Sequence, residues 1–229
     1  MEVKKPKEII LDLLTDKFSV KKIAFENTFQ VFEKIKSDCQ KFAIEYNQDL
    51  QQNGNDAILH FKDKGQLDAE LQFADDLLVF SMHSNIFSFD KSHNIWKSSY
   101  LQQSHNAAFC GVINVYNFLS DSFKYNRQND VGYLIARIFV NKDNHYFVEG
   151  KRQLGFLYND FVNSIIDETA IRNILESCIL FTLDFDLLVP DYDNVNNISV
   201  AQMIENINNS KTLTAKRLGF KFNVDNNEI

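Results

Sequence analysis

Glu149 and Lys151 are the two residues whose types and spacing most directly suggest catalysis. They end the apolar stretch HYFVEGKRQL, and alternation along a β-strand would place both side chains on one face. In metal-dependent nucleases, a carboxylate at such a position helps to hold a divalent ion, and a lysine two residues later stabilises charge or positions water. The pair is therefore half of what a metal-dependent, nuclease-like hydrolase requires.

The other half would be a second carboxylate close to Glu149. Asp130 is the nearest upstream acid that the period of two puts on the same face. If the residues NKDN form a four-residue turn, Val140 faces His145. Ala136 then faces Glu149, and Asp130 lies roughly 20 Å away at about 3.3 Å per residue. We therefore expect Glu149 to form a cross-strand ion pair or to lie at a solvated sheet edge, and the hydrolase is the alternative.

Three histidines lie close together in the sequence and could bind zinc or a related ion. These are His83, His93 and His105, with Cys110 shortly after them. Their spacings of 10, 12 and 5 residues match no ligand pattern with a mechanical basis. Each histidine is followed within two residues by asparagine, which is typical of turns. We expect no metal and no cofactor, and we predict that residues 91–111 connect two strands.

Composition restricts the class of protein. The 229 residues carry a net charge of -7, and the isoelectric point is about 5.2, so the surface offers little attraction to nucleic acid. The three cysteines are far apart and odd in number, which is typical of a reducing compartment. We find neither a secretory leader nor an apolar run long enough to cross a bilayer. The sequence predicts a soluble, cytoplasmic protein that does not bind membranes.

Two helices are predicted in residues 1–52. Pro6 suits the first position of a short helix over residues 6–17, and Ser19 is a candidate N-cap for a long second helix that ends near Gln52. The second helix has one apolar stripe with spacings of three and four residues, formed by Ala24, Thr28, Val31, Ile35, Cys39, Phe42, Tyr46 and Leu50. Phe25, Phe29 and Phe32 add another strip. This strip predicts either a helix wedged between a sheet and another helix, or an interaction surface for a partner or a second copy.

The rest of the chain predicts a sheet followed by helices. Residues 56–150 alternate with a period of two and contain several turn signals, which indicates an antiparallel sheet of six to eight strands. The helical period returns over residues 154–210 as a C-terminal helical layer, and residues 218–224 are a candidate last strand. Helices and strands are segregated along the chain. We therefore predict a single α+β domain over residues 1–229 with a long N-terminal helix.

These observations favour a non-enzymatic binding or protein-interaction module of the cytoplasm that can self-associate. The expected partner is another protein or a second copy in a homodimer. The alternatives are the metal-dependent hydrolase with Glu149 and Lys151, and a protein that binds an apolar ligand beneath its aromatic sheet. Every catalytic arrangement in the sequence lacks at least one necessary part, whereas the extra apolar strip on the long helix has no such defect.

Overall fold

A six-stranded antiparallel sheet forms the centre of the fold. The computed structural model describes residues 5–55, 57–185 and 191–217. The strands are β1 His60–Asp63, β2 Asp68–Phe73, β3 Asp76–Met82, β4 Cys110–Leu119, β5 Tyr133–Asn141 and β6 Tyr146–Gly150. Their order in the sheet is β1-β2-β3-β4-β5-β6, so each strand pairs with the next in sequence. The predicted α+β fold is confirmed, and the described sheet has the lower of the predicted strand numbers.

Helices precede, interrupt and follow the sheet. They are α1 Pro6–Gln52, α2 Ser99–Gln103, α3 Ser120–Lys124, α4 Gln153–Leu157, α5 Glu168–Leu183, α6 Tyr192–Val195 and α7 Val200–Arg217. The predicted break at Ser19 is wrong, because α1 is continuous over 47 residues, or about 70 Å at 1.5 Å per residue. The Ser19 hydroxyl donates to the carbonyl oxygen of Thr15 at 2.6 Å, one turn earlier in the same helix. The predicted strand at 218–224 lies outside the described residues.

The main core lies between one face of the sheet and the helices α1 and α5. Its largest fully buried side chains include Phe32, Leu71, Leu78, Phe80, Ile113, Ile138 and Leu175. A void beneath α5 has a volume of about 10 Å³, which is room for at most one water molecule. Helix α1 packs tightly on β4 at Gly111, where an added Cβ would lie 2.2 Å from the Thr28 hydroxyl oxygen. The absence of a side chain at residue 111 therefore sets the distance between helix and sheet.

A long connection covers part of the other face of the sheet. We call residues 83–109, between β3 and β4, the strap. Its buried residues are Leu101, Ala107 and Ala108, and Leu101 packs with Phe139 and Phe147 in a second apolar cluster, against which Trp96 and Tyr100 also pack. The prediction that this stretch connects two strands is confirmed.

The hairpin between β5 and β6 has a different register from the predicted one. The amide of Asn141 donates to the carbonyl of His145 at 3.0 Å and closes a three-residue loop, 142–144, in which Asn144 has a positive φ of 60°. Such loops need one residue in the left-handed region, which asparagine tolerates. Val140 therefore pairs with Tyr146 rather than with His145. As a consequence Arg137, and not Ala136, lies opposite Glu149.

Residues 158–166 are not helical, although their apolar spacing predicts a helix. They run beside β6 and form backbone hydrogen bonds along its free edge. The amide of Val148 donates to the backbone carbonyl of Tyr158 at 2.8 Å, and the amide of Tyr146 donates to the backbone carbonyl of Ser164 at 3.1 Å. The predicted helical layer over residues 154–210 therefore contains a segment that covers a sheet edge, a common protection of edge strands.

Candidate functional site

The predicted site residues Glu149, His93 and His83 all line one groove. This groove lies between the strap and the exposed face of β4, β5 and β6, and its volume is about 470 Å³. Its walls are mainly apolar and include Phe87, Phe89, Val112, Leu134 and Phe139. The polar groups Asn114 and Arg137 lie at its floor.

Glu149 is neutralised by a neighbour on the sheet. The guanidinium of Arg137, on the adjacent strand, donates to Glu149 Oε2. The ring of His93 approaches from the strap, and its Nε2 atom lies 3.6 Å from Glu149 Oε1. Both members of the Arg137–Glu149 pair are partly exposed, so water screens their attraction. The arrangement is a cross-strand ion pair at the groove floor.

The histidines of the groove act as turn residues. His93 Nδ1 accepts from the amide of Ile95 at 3.2 Å and caps the short helix that begins at Asn94. His83 Nδ1 accepts from the amide of Asn85 at 2.9 Å. His105 starts another short helix, and its ring lies 6.1 Å from that of Trp96. The groove thus contains two of the three predicted histidines.

The groove does not contain the other parts that hydrolysis would need. Lys151 follows the end of β6 and is exposed, and its amide donates to Ile135 at 3.1 Å. Asp130 lies before the start of β5. There it accepts from the Ser122 hydroxyl at 2.6 Å and pairs with Arg127. Within residues 5–55, 57–185 and 191–217, no group of three His, Cys, Asp or Glu could hold a metal ion.

The cysteines offer no activated thiol. Cys39, Cys110 and Cys178 are all buried and unpaired. Burial raises the pKa of the Cys178 thiol to about 12, and it also raises the pKa of Cys39 and Cys110. A thiol with a raised pKa is a poor nucleophile at neutral pH. These side chains therefore behave as small apolar residues of the core.

The predicted interaction residues of α1 pack inside the chain. Phe32 is fully buried in the main core, and Phe25 and Phe29 are partly buried against it. The rings of Phe25 and Phe29 are stacked with centroids 6.4 Å apart. The strip therefore packs on the main core of the same chain. A role for these three residues in binding a partner stays a prediction.

The first part of α1 is the most unusual surface of the described chain. We call residues 6–23 the arm. Every residue of the arm except Val20 is exposed, and Ala24 is the first buried residue of the helix. Its exposed large apolar side chains are Ile9, Ile10, Leu11, Leu13, Leu14, Phe18 and Ile23. Leu14 and Phe18 have 61% and 66% of their surface exposed, which is unusual for an ordinary solvated helix.

The sequence pattern predicts the arm as helical but does not predict its exposure. Apolar residues in the arm repeat with the same period as those that α1 buries further along, so the pattern alone suggests burial for both. The feature of the sequence that could have indicated exposure was the distribution of charge. Residues 6–16 contain three carboxylates and one lysine, whereas residues 17–23 contain three lysines and no acid.

Comparison with protein-family models, with curated proteins and with solved structures gives no match. Among the helices of the described residues, none is long and apolar enough to cross a membrane. The candidate sites therefore rest on their own geometry and chemistry. They are a groove with an ion pair at its floor, and an arm with seven exposed apolar side chains.

Proposed function

We propose that this protein is a non-enzymatic interaction module that self-associates through the arm. The observation that supports this proposal is the set of seven large apolar side chains that the arm exposes to solvent. Burial of a leucine or phenylalanine side chain stabilises an interface by about 1.5–3 kcal/mol. A second copy that covers even part of the arm would therefore gain a substantial free energy of association.

The rest of α1 keeps the arm helical before any partner binds. Starting a helix is the costly step, and isolated helices of fewer than about 12–15 residues are marginal in water. The arm continues without a break from a segment whose residues Ala24, Thr28 and Val31 are buried against the body. The helix is thus already nucleated, so association loses less conformational entropy than the folding of a free segment would.

Charges on the arm favour an antiparallel pair of arms. The acidic half is residues 6–16, and the basic half is residues 17–23. A two-fold axis midway between Leu14 and Thr15 would place Glu8 opposite Lys21 of the other copy. The same axis places Asp12 opposite Lys17. Each attraction then occurs twice, whereas a parallel pair would bring like charges together.

We also propose that the protein acts in the cytoplasm and that its partners are proteins rather than nucleic acids. Three buried free thiols suit a reducing compartment. The net charge of -7 disfavours contact with the phosphate backbone. The Arg137–Glu149 groove is better explained as a binding surface than as a catalytic centre, because its carboxylate is already paired.

Light scattering coupled to size-exclusion chromatography tests the proposal. We expect wild-type protein to elute as a dimer of about twice the 26.6 kDa chain mass. Leu14→Glu should give a monomer that is still folded, because residue 14 contacts solvent in the single chain. The matched control is Ser19→Glu, which adds the same charge about 140° around the helix and should stay dimeric.

A charge exchange tests the antiparallel arrangement. Lys17→Asp should weaken the dimer by roughly tenfold, and the double variant Asp12→Lys with Lys17→Asp should restore it. A wild-type monomer at high concentration would overturn the proposal, as would a dimer that Leu14→Glu leaves intact. A monomer that binds anionic phospholipid vesicles through the arm would show instead that the arm is a membrane anchor.

A further inference from the structure

A second pocket of about 470 Å³ lies at the end of the sheet where β3 begins and β4 ends. The start of β5, the loop after α3 and Phe185, two residues after the end of α5, complete it. Two aromatic rings, those of Tyr133 and Phe185, form one wall with their centroids 5.9 Å apart. Asp76 and Asn117 also line the pocket. This pocket is separate from the Arg137–Glu149 groove and from the arm.

Asn117 carries an unpaired hydrogen-bond acceptor at this pocket. The residue is only 7% exposed. Its Oδ1 atom is buried and has no hydrogen-bond partner. A buried acceptor without a donor destabilises a fold, and such groups are rare. The Oδ1 atom therefore indicates that the pocket suits a molecule with an N–H or O–H donor.

Asp76 supplies a second acceptor beside the first. It lies diagonally across from Asn117 on the neighbouring strand. Burial raises the pKa of the Asp76 carboxyl, and the nearby carboxylate of Asp75 raises it further. A bound cation would offset this unfavourable environment. Asp130 adds negative charge at the rim, where the one lining cation, Arg127, is already paired with it at 3.1 Å.

We infer that this pocket binds a guanidinium group, with Asn117 Oδ1 and the Asp76 carboxylate as acceptors and with Tyr133 and Phe185 as stacking surfaces. The planar guanidinium presents parallel N–H donors to two adjacent acceptors, which a single ammonium cannot match. Its face also packs favourably on aromatic rings. A divalent metal is a poorer fit, because the described residues supply no cluster of three carboxylate, histidine or cysteine ligands here.

Isothermal titration with n-butylguanidine measures this binding directly. We expect a saturable heat with a Kd of about 1 mM or lower. Tetramethylammonium has the same charge but no N–H donor, so it should give no binding, and n-butylamine should bind more weakly. The acetylated, amidated peptide Gly-Arg-Gly distinguishes the source of the group. Binding of the peptide would indicate an arginine side chain of a partner, and its exclusion would indicate a free small molecule.

Two variants locate the binding. Asn117→Leu removes the unpaired oxygen at similar size, and Asp76→Asn removes the charge while keeping an acceptor. Each should weaken butylguanidine binding by roughly tenfold or more. Asp68→Asn, on the exposed part of β2, removes the same charge elsewhere and should bind like wild type. Because Asp76→Asn preserves the local shape, it tests the inference even if Asn117→Leu does not fold.

Three results would overturn the inference. The first is the absence of butylguanidine binding to the folded wild-type protein. The second is equal binding of tetramethylammonium, which would show that the N–H donors are not recognised. The third is binding that neither Asp76→Asn nor Asn117→Leu weakens, which would place the ligand outside this pocket.

Discussion

Arg137 and Glu149 lie directly opposite each other on β5 and β6, and the guanidinium donates to the carboxylate at the floor of the groove. This pairing decides how the only catalytic half-motif in the sequence is used. A carboxylate that accepts from arginine has one neighbouring positive charge already and is less available to a metal ion. The pair instead gives the apolar groove a polar floor with both signs of charge.

The Arg137–Glu149 pair should contribute little to stability. Both side chains are partly exposed, so we expect Glu149→Gln to change the free energy of unfolding by less than about 1 kcal/mol. Urea denaturation at low and high salt measures the change, and salt should reduce it further. Asp68→Asn provides a control for loss of charge. A loss of several kcal/mol, or of a bound divalent ion, would assign Glu149 a structural or metal-binding role.

Asn141 should be far more important, because it joins the strap to the β5–β6 hairpin. The residue is fully buried, and its Nδ2 atom donates to Tyr100 Oη at 3.0 Å and to the carbonyl of Ala107 at 3.1 Å. Its Oδ1 atom accepts from the amides of Asp143 and His145. We expect Asn141→Ala to destabilise the protein by about 3 kcal/mol or more, since several buried groups lose their partners.

Hydrogen exchange separates local opening from global unfolding in this variant. Faster exchange should appear first in the strap and at the hairpin, with α1 and β3 protected. Asn144→Gly is the matched control, because residue 144 has a positive φ that glycine adopts without strain. This control should leave stability within about 0.5 kcal/mol of wild type. Uniform loss of protection in Asn141→Ala would contradict a local role for the side chain.

The buried side of α1 follows directly from its sequence. The predicted apolar stripe includes Ala24, Val31, Ile35 and Phe42, and all four are buried. A period of three and four residues identifies the apolar face, but Tyr46 near the end of the same stripe is exposed, so the period does not show how far burial extends. The predicted break at Ser19 is wrong for a related reason, since serine is a good N-cap but also bonds back to its own helix.

The register of β5 and β6 was less accessible from the sequence. The polar residues NKDN mark a turn, but they do not determine whether three or four of them form the loop. The backbone of Asn144 decides this by adopting a positive φ, a conformation that asparagine tolerates without requiring it. A shift of one residue reverses which side chains meet, and it moved Arg137 opposite Glu149.

The exposure of the arm and the missing partner of Asn117 Oδ1 both depend on which other parts of the chain lie nearby in the folded protein. The apolar period of residues 6–23 is the same as that of a buried helix, so only the extent of the body shows that it lies uncovered. Asn117 in a predicted strand gives no indication of which donors will surround its side chain. Such sites are set by the tertiary arrangement, which local propensity and periodicity do not determine.

Gly111→Ala should destabilise the contact between α1 and the sheet. The added Cβ would lie 2.2 Å from Thr28 Oγ1 and 2.7 Å from Thr28 Cβ, so either the helix or the strand must move. Overpacking of this kind costs about 1–3 kcal/mol, and sometimes more in a rigid core. Thermal unfolding followed by circular dichroism measures the loss. Asn114→Ala, on the other face of the same strand, should have a much smaller effect.

Asp76→Asn should raise the melting temperature at neutral pH. The folded-state pKa of Asp76 is raised by burial and by Asp75, so the folded protein binds this proton more tightly than the unfolded chain does. Stability therefore falls as the pH rises from the unfolded value of about 3.9 through the folded pKa, and the full cost is present above the folded pKa. Asparagine carries no charge and avoids this cost.

The difference in melting temperature between Asp76→Asn and wild type should therefore depend on pH. It should be positive at pH 7, decrease on acidification, and approach its smallest value below about pH 3.9, where both folded and unfolded wild type are protonated. Differential scanning calorimetry between pH 3 and pH 8 gives the curve, with Asp68→Asn as the control for charge. A variant less stable than wild type at pH 7, or a difference that does not change with pH, would contradict the assignment. Saturation with butylguanidine should narrow the difference at pH 7 by stabilising wild type more than Asp76→Asn, because a ligand stabilises the form that binds it more tightly.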